Sequence, residues 1–597
     1  MNKTWLILWF AAWAVSGMAA GEVVSAFESA AAPVPLQPID RLVAANLTKL
    51  GIQPVLCSDA VFVRRVYLDV IGTLPTAVEA RQFIQDPDLV NKRAQLIDRL
   101  LERDEFSDYW AMRWGDVLRI KAEFPVNLWP NAAQAYHRWL RSSIADNKPY
   151  DQFVRELLTA SGSNFRVGPV NFFRAIQNRK PDGIATAVAL TLMGTRAEAW
   201  PAERLAGMAA FFLQLGYKPT NEWKEEHVFW DPLGSSSAAG NTAPGRAAVA
   251  PVPAKAPAAV PAPPDRESPD SPSSAKPPDS PTSAKPPDSP TSAPITGPAP
   301  GRPQVAVFPD GKKIELPLNR DPRDVFADWL LAPNNPWLAR NIVNRYWAWL
   351  LGRGIIHEPD DIRPDNPASN PALLAYLEGE LVAGHYDLKR LCRLILNSQT
   401  YQLSSVPRFL TPAAAANFAS YPLRRLDAEV LIDAINRITG ASDLYTSAIP
   451  EPFTYIPEDQ PAIALPDGSI TSPFLALFGR SARATGMVSE RDNKSLPAQW
   501  LYLLNSSHIQ RKLEQSAKLK AVLDPSHKPE TIIDELYLTI LSRFPTVEEV
   551  QILATYGQVQ PARPANPSAP PIVVKRREDW LDLAWALINS TEFLYRH

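Results

Sequence analysis

The chain of 597 residues has little of what most catalytic and metal sites are built from. It has 2 cysteines and 7 histidines. Cys57 and Cys392 are too far apart for a C-x-x-C motif, which excludes that route to a metal or covalent haem. Cys392 sits inside the helical pattern DLKRLCRLILNS, so two buried, unpaired thiols are expected rather than a disulfide. So few histidines disfavour a His-rich metal centre. No charge of one sign prevails: 61 basic against 63 acidic residues give a net charge of −2. That balance excludes a broad electrostatic footprint for nucleic acid or an anionic membrane. There is no G-x-S-x-G elbow, phosphate-binding Walker loop, H-E-x-x-H pair or dinucleotide fingerprint. After the N-terminus no apolar run approaches the roughly 20 residues of a membrane span.

What the chain has in excess is proline, 60 residues, and tryptophan, 17. The N-terminus reads as an export signal over residues 1–20. Lys3 supplies the positive charge, LILWFAAWAV the short apolar run, and Gly17 to Ala20 small residues for cleavage. Whether the segment is cleaved or kept as an anchor stays open. Either way the protein is expected outside the cytoplasm, in the periplasm, in the cell envelope or secreted. Residues 33–232 carry helical periodicity, as in IDRLVAANLTKLGI. Residues 233–304 are rich in Pro, Ala and Ser, with DSPSSAKPP, DSPTSAKPP and DSPTSAPIT in succession, and read as a disordered linker. Residues 305–597 are again helical in pattern, apart from an irregular stretch near 446–473. They open on VAVFPDGKKIELPL, a small β-hairpin near 305–318. The expected fold is mainly α, with two helical domains.

One unit recurs. YLDVIGTLPTAVEA (Tyr67–Ala80) and YLTILSRFPTVEEV (Tyr537–Val550) share a helical apolar face, a helix-stopping proline and a T-x-x-E capping box. Each copy closes on a second signature, LLERDEF or ALINSTEF. NRYWAWLLGRG with LILNSQTY reads as a middle copy. These stretches read as core and caps rather than chemistry.

FVRRVYLDVIGTLPT followed by LIDRLLERDEFSDYWAMRWGDVLR resembles the family of domains of unknown function numbered 1549. The long run from RDVFADWLLAPNNPWLAR to ASNPALLAYL, with LKRLCRLILNSQTYQLSS, YPLRRLDAEVLIDAI and ALINSTEFLYRH, resembles its usual companion, number 1553. The resemblance implies an exported protein of the kind typical of planctomycetes and verrucomicrobia. It implies no activity. Many relatives carry a C-x-x-C-H-like cluster in the first domain. The matching stretch here, LMGTRAEAWPAERLAGMAAFF (Leu192–Phe212), has neither Cys nor His. It therefore reads as a subtype without the cluster, and c-type haem is excluded at that place.

Four constellations are candidates for a site. In YWAMRWGDVLR, Trp110, Arg113, Trp114 and Asp116 fit a sugar-stacking platform, and equally a packed aromatic helix with an Arg–Asp pair. The loop HEPDDIRPDNPASNP gathers Glu358, Asp360, Asp361 and Asp365. Hard oxygen ligands suit calcium, but the spacing is not that of an EF-hand, and no metal or cofactor is assigned. In RRLDAEVLIDAINR, Arg424, Arg425, Asp427 and Glu429 suit an ion-pair network reaching Asn344 and Arg345. A hydrolase pair of Asp427 with Asp360 or Asp361 is the catalytic alternative. In GRSARATGMVSERDNKSLPAQW, Arg480, Arg483, Glu490, Arg491 and Asn493 fit either a pocket for an oxyanion or a polar loop capping the next helix. These features point to a binding or scaffold protein of the envelope, with glycans or another exported protein as partner. The alternative is an enzyme acting on acidic or sulfated glycans.

Overall fold

The computed structural model describes residues 26–233, 304–560 and 572–597. Residues 1–20, expected as an export signal, and most of the Pro-rich segment lie outside them. The fold is mainly α, with helices making up about 53%. None of the described helices is long and apolar enough to cross a membrane. In chain order the helices that matter are α1 (Pro38–Lys49), α2 (Asp59–Val70), α3 (Ala77–Gln85), α4 (Lys92–Leu101), α5 (Asp104–Val117), α6 (Pro130–Ala145), α7 (Pro336–Leu351), α8 (Leu388–Leu396), α9 (Ala428–Thr439), α10 (Pro529–Leu541), α11 (Val547–Thr555) and α12 (Arg577–Ile588). The expected hairpin forms from β4 (Gln304–Val307) and β5 (Lys313–Leu316), antiparallel with Val305 opposite Glu315. An antiparallel sheet of β1 (Gly162–Ser163), β3 (Glu226–Trp230) and β2 (Leu215–Pro219) is a departure from the all-helical reading of that region. Its strands are five residues or fewer, too short for an alternating pattern to stand out from neighbouring helices.

The repeat is real at the level of atoms. Thr76 and Thr546 each accept the amide of the glutamate three residues on, and each glutamate returns a bond to the threonine amide. A left-handed residue stands at the matching position after each preceding helix, Gly72 at φ 63° two residues past α2 and Ser542 at φ 61° directly after α10. In the last copy Arg543 joins the capping glutamate Glu549 to Glu592 of the closing signature, at 2.7 Å each. In the first copy the arginine comes from the closing signature instead. Arg103 joins Glu79 at 2.9 Å to Glu105 at 2.5 Å. Each guanidinium also lies over the ring of the opening tyrosine, Tyr67 or Tyr537. The closing turns of the middle and last copies agree with each other. Ser398 and Ser590 each donate to the carbonyl three residues back and accept the amide three residues on. The middle copy keeps this closing turn but has no threonine–glutamate cap after Gly352.

The first and last copies pack on each other, although they stand at opposite ends of the chain. Arg64 on α2 is buried and donates to the carbonyls of Ile540 and Phe593, both at 2.8 Å. Its neighbour Arg65 donates to the carbonyls of Tyr401, Leu403 and His597 and lies 3.9 Å above the Tyr421 ring. Burial pulls the Arg64 guanidinium down to about 10. Residues before the Pro-rich segment and residues after it thus share one continuous core. Trp110 stacks on Tyr346 at 4.7 Å across that boundary. Cys57 and Cys392 are both buried and unpaired.

Candidate functional site

The polar residues picked out in α5, in α9 and in the 479–496 segment meet at the boundary between the halves. Asp427, just ahead of α9, is fully buried. One carboxylate oxygen accepts from Arg113 at 2.6 Å and Arg596 at 2.7 Å. The other accepts from the Asn493 amide at 2.7 Å. Burial alone would raise its pKa, but the guanidiniums of Arg113, Arg596 and Arg491 hold it well below the usual carboxylate range. Glu429, two residues on, accepts from Arg480 at 3.2 Å and Arg491 at 2.5 Å. It is likewise held low against its burial. Asp116 on α5 accepts from Arg483 at 3.0 Å and Arg491 at 2.8 Å. Asp69 on α2 accepts from Arg596 at 3.1 Å and from the hydroxyls of Tyr401 and Tyr421 at 3.0 and 2.7 Å.

Two arginines are therefore shared. Arg596 links Asp69 to Asp427, and Arg491 links Asp116 to Glu429. Six guanidiniums (Arg113, Arg424, Arg480, Arg483, Arg491, Arg596) face four carboxylates (Asp69, Asp116, Asp427, Glu429). The excess positive charge meets backbone carbonyls. Arg424 donates to Trp349 and Leu350 at the C-terminal end of α7, where carbonyls lack helical partners and the helix dipole is negative. Arg483 donates to Met112 and Ile120. Arg425 stays out of the ion pairs and donates to the carbonyls of Phe478 and Asp492, which fixes the covering segment. Glu490 folds that segment on itself by accepting the amides of Ala484 and Thr485.

The remaining candidates go elsewhere. Trp110 and Trp114 are 1% exposed, so neither presents a face to a ligand. Their indole N–H groups donate to Val70 and Tyr346. Asn344 and Arg345 do not join Arg424 and Arg425. Asn344 exchanges both side-chain bonds with the backbone of Ile356. Arg345 pairs with Asp360 at 2.9 Å and donates to the carbonyls of Leu190 and Thr191. The second oxygen of Asp360 accepts the Val488 amide. Asp361 turns away from its neighbour and shares Arg363 with Asp365. It makes no hydrogen bond or ion pair with Asp427 or its arginines. The acidic loop thus does not converge its oxygens. No group of three or more His, Cys, Asp or Glu suited to a metal occurs among the described residues. The residues of Leu192–Phe212 do not fit a covalently attached haem, having no thiol or imidazole.

Asp69, Tyr401, Tyr421, Arg596 and Tyr109, whose hydroxyl accepts from Arg113 at 2.8 Å and Arg596 at 3.1 Å, are the members that pattern reading passed over. The signal for Asp69 was present: a carboxylate on the apolar face of YLDVIG, where the last copy has Thr539. Two shallow recesses, one beside Arg408 and Phe409 and one beside Trp114 and Tyr150, are lined by none of Asp116, Asp427, Glu429 or Arg491.

Asp433 behaves differently from Asp427 and Glu429. It faces no arginine and accepts the amides of Ala462 and Ile463 at 2.8 and 2.9 Å. Burial pushes its pKa up to about 7, with Glu429 and Asp443 adding to the rise. The folded state therefore holds a proton that the unfolded chain loses near pH 4. Stability from this group is full below pH 4 and declines as pH rises to 7. Asp433→Asn cannot titrate. Urea unfolding should show the stability difference between wild type and this variant shifting in the variant's favour from pH 5 to pH 8, on the order of 2–4 kcal/mol.

The chain has recognisable relatives at the level of domain families. Residues 38–199 match the model described as PSCyt2, a protein of unknown function (DUF1549), and residues 322–557 match PSD1, a protein of unknown function (DUF1553). No curated protein and no solved structure matches the chain. Asp69, Arg113 and Asp116 fall in the first match, and Asp427, Glu429, Arg480, Arg483 and Arg491 in the second. The chain thus carries the paired domains of unknown function DUF1549 and DUF1553, and the arginine–carboxylate lattice is the seam between them.

Proposed function

We propose that this is an exported binding or scaffold protein of the cell envelope, with no catalytic role for its buried carboxylates. One observation carries the reading: the carboxylates and arginines that would serve a hydrolase are paired with each other inside the molecule. A paired-carboxylate hydrolase needs two acids flanking a substrate. Here Asp427 is enclosed by two guanidiniums and an amide, and Asp361 belongs to a separate loop. The apolar run at Leu6–Val15 supports export, and the missing nucleophile and metal motifs agree with a non-catalytic role.

Purified protein incubated with a panel of neutral, uronate-bearing and sulfated polysaccharides tests this. The expected result is no release of reducing ends. Release that is abolished by Asp361→Asn would overturn it. The Asp361 side chain is partly exposed and pairs with Arg363, and the Asn366 amide bonds its main-chain carbonyl, which the substitution leaves in place, so the variant keeps its fold.

A further inference from the structure

Away from the seam, three loops bring a set of unburied aromatic rings together. Phe124 (80% exposed) and Trp129 come from residues 121–129, Trp223 (71%) from the turn joining β2 to β3, and Phe453 and Tyr455 (70%) from residues 450–456. Contacts link three of the rings, Trp129, Phe453 and Trp223, and Phe124 and Tyr455 stand on the same loops. Trp129 meets Phe453 edge to face at 5.3 Å between centroids. The Lys224 ammonium lies 5.8 Å from the Trp129 ring and 5.3 Å from the Trp223 ring. Lys224 forms no ion pair among the described residues, so its charge is open to a ligand.

The three loops are held firmly. Leu128 and Trp129 donate back to Lys121 and Ala122. The Glu123 carboxylate accepts from Ser447 and Ala448 at 3.0 Å each, tying the first loop to the third. The buried Glu225 accepts from Ser163 and Thr220 and fixes the β2–β3 turn. Asn127, Trp129 and Lys224 all have left-handed backbones, at φ 60°, 73° and 65°. Side chains rarely adopt that region, and surrounding contacts must enforce it. Exposed rings on loops held this way, with Trp129 itself on a strained backbone, are not explained by core packing, because they are not in the core.

We infer that Phe124, Trp129, Trp223, Lys224, Phe453 and Tyr455 form a binding surface for an anionic polysaccharide. Pyranose rings stack their C–H faces on the aromatic rings, and a carboxylate or sulfate pairs with Lys224. Three observations select this class of partner. The surface is aromatic rather than aliphatic, which suits flat saccharide rings. Its central charge is a cation without a partner. Its rings come from short loops fixed before binding, so little ordering entropy is lost. The inference rests on the binding reading above and names its ligand.

Native electrophoresis of the whole chain through gels containing dextran sulfate, polygalacturonate or neutral dextran tests the surface. Wild type should be retarded by at least one of the two anionic polymers, which separate sulfate from carboxylate, and pass through dextran unhindered. Retardation should fall as salt is raised. The double variant Trp223→Ala/Tyr455→Ala should bind about tenfold more weakly or worse, with an unchanged melting temperature because both side chains are exposed. Lys224→Gln should lose the preference for the charged polymer. Unretarded wild type in both anionic gels overturns the inference, and so does equal retardation of wild type and double variant. Failure here leaves the non-catalytic reading standing. Release of reducing ends by a retarded protein would remove that reading alone.

Discussion

Asp427→Ala should lower the stability of the whole chain by about 3–5 kcal/mol, the range for breaking a buried ion pair by removing one partner. The loss comes less from the bonds removed than from what is left. Arg113 would remain desolvated with its carboxylate gone and Arg596 would keep only Asp69, while Arg491 would lose the other Asp427 oxygen at 3.9 Å. A conservative Asp427→Asn retains an acceptor but no charge and should fall near the lower end. Adding Arg596→Met to Asp427→Ala should cost less than the two separate losses summed, because Arg596 has by then lost its closer carboxylate and keeps only Asp69 at 3.1 Å. Acid has the same effect as the asparagine. Asp427 and Glu429 are held low in the folded state, so their stabilisation is complete above the ordinary carboxylate range. It is lost as pH falls below about 4. Denaturant unfolding of wild type, Asp427→Ala, Asp427→Asn, Arg596→Met and the double variant at neutral pH, read by tryptophan fluorescence, checks these values.

Gly479→Ala should be as damaging although it removes no charge. Gly479 has φ +77°, and a Cβ there would lie 1.8 Å from the carbonyl oxygen of Asp492. Neither partner in that clash is a movable side-chain tip. The left-handed backbone adds about 1–2 kcal/mol for any residue with a Cβ. The larger effect is that Asp492 must shift, and Arg491 is its chain neighbour. Arg425, which ties the segment down through Phe478 and Asp492, loses its geometry too. The expected total is on the order of 3–5 kcal/mol. Gly311→Ala is the control. It has φ +89° with nothing within 4 Å of the added carbon, so only the backbone strain of about 1–2 kcal/mol remains.

The helical class, the hairpin at β4–β5 and the capping boxes at Thr76 and Thr546 were legible because each is a local pattern. Periodicity, turn chemistry and cap spacing act over a few residues. The lattice was half legible. Arg113, Asp116, Asp427 and Glu429 were recognisable as charged residues in helical patterns, and Arg491 and Asn493 as members of a dense polar stretch. Their partners were not, since Arg113 and Asp427 are 314 residues apart. Asn344 and Arg345 were grouped with Arg424 and Arg425, but Arg345 found the nearer Asp360. Arg103 and Arg543 show the same limit. The ion triads of the repeat are conserved in space, yet the arginine comes from different places in the two copies, so aligning the copies hides it. The aromatic surface left no local signature, because its rings come from three distant loops.

The seam is best tested by cutting the chain between residues 234 and 303 with an inserted protease site. If the lattice and the shared core unite the halves, the two fragments elute together on size exclusion, unfold in a single transition, and separate or unfold when Asp427→Ala is introduced. Two fragments that elute apart and each keep their helical content would contradict a seam that holds the molecule together.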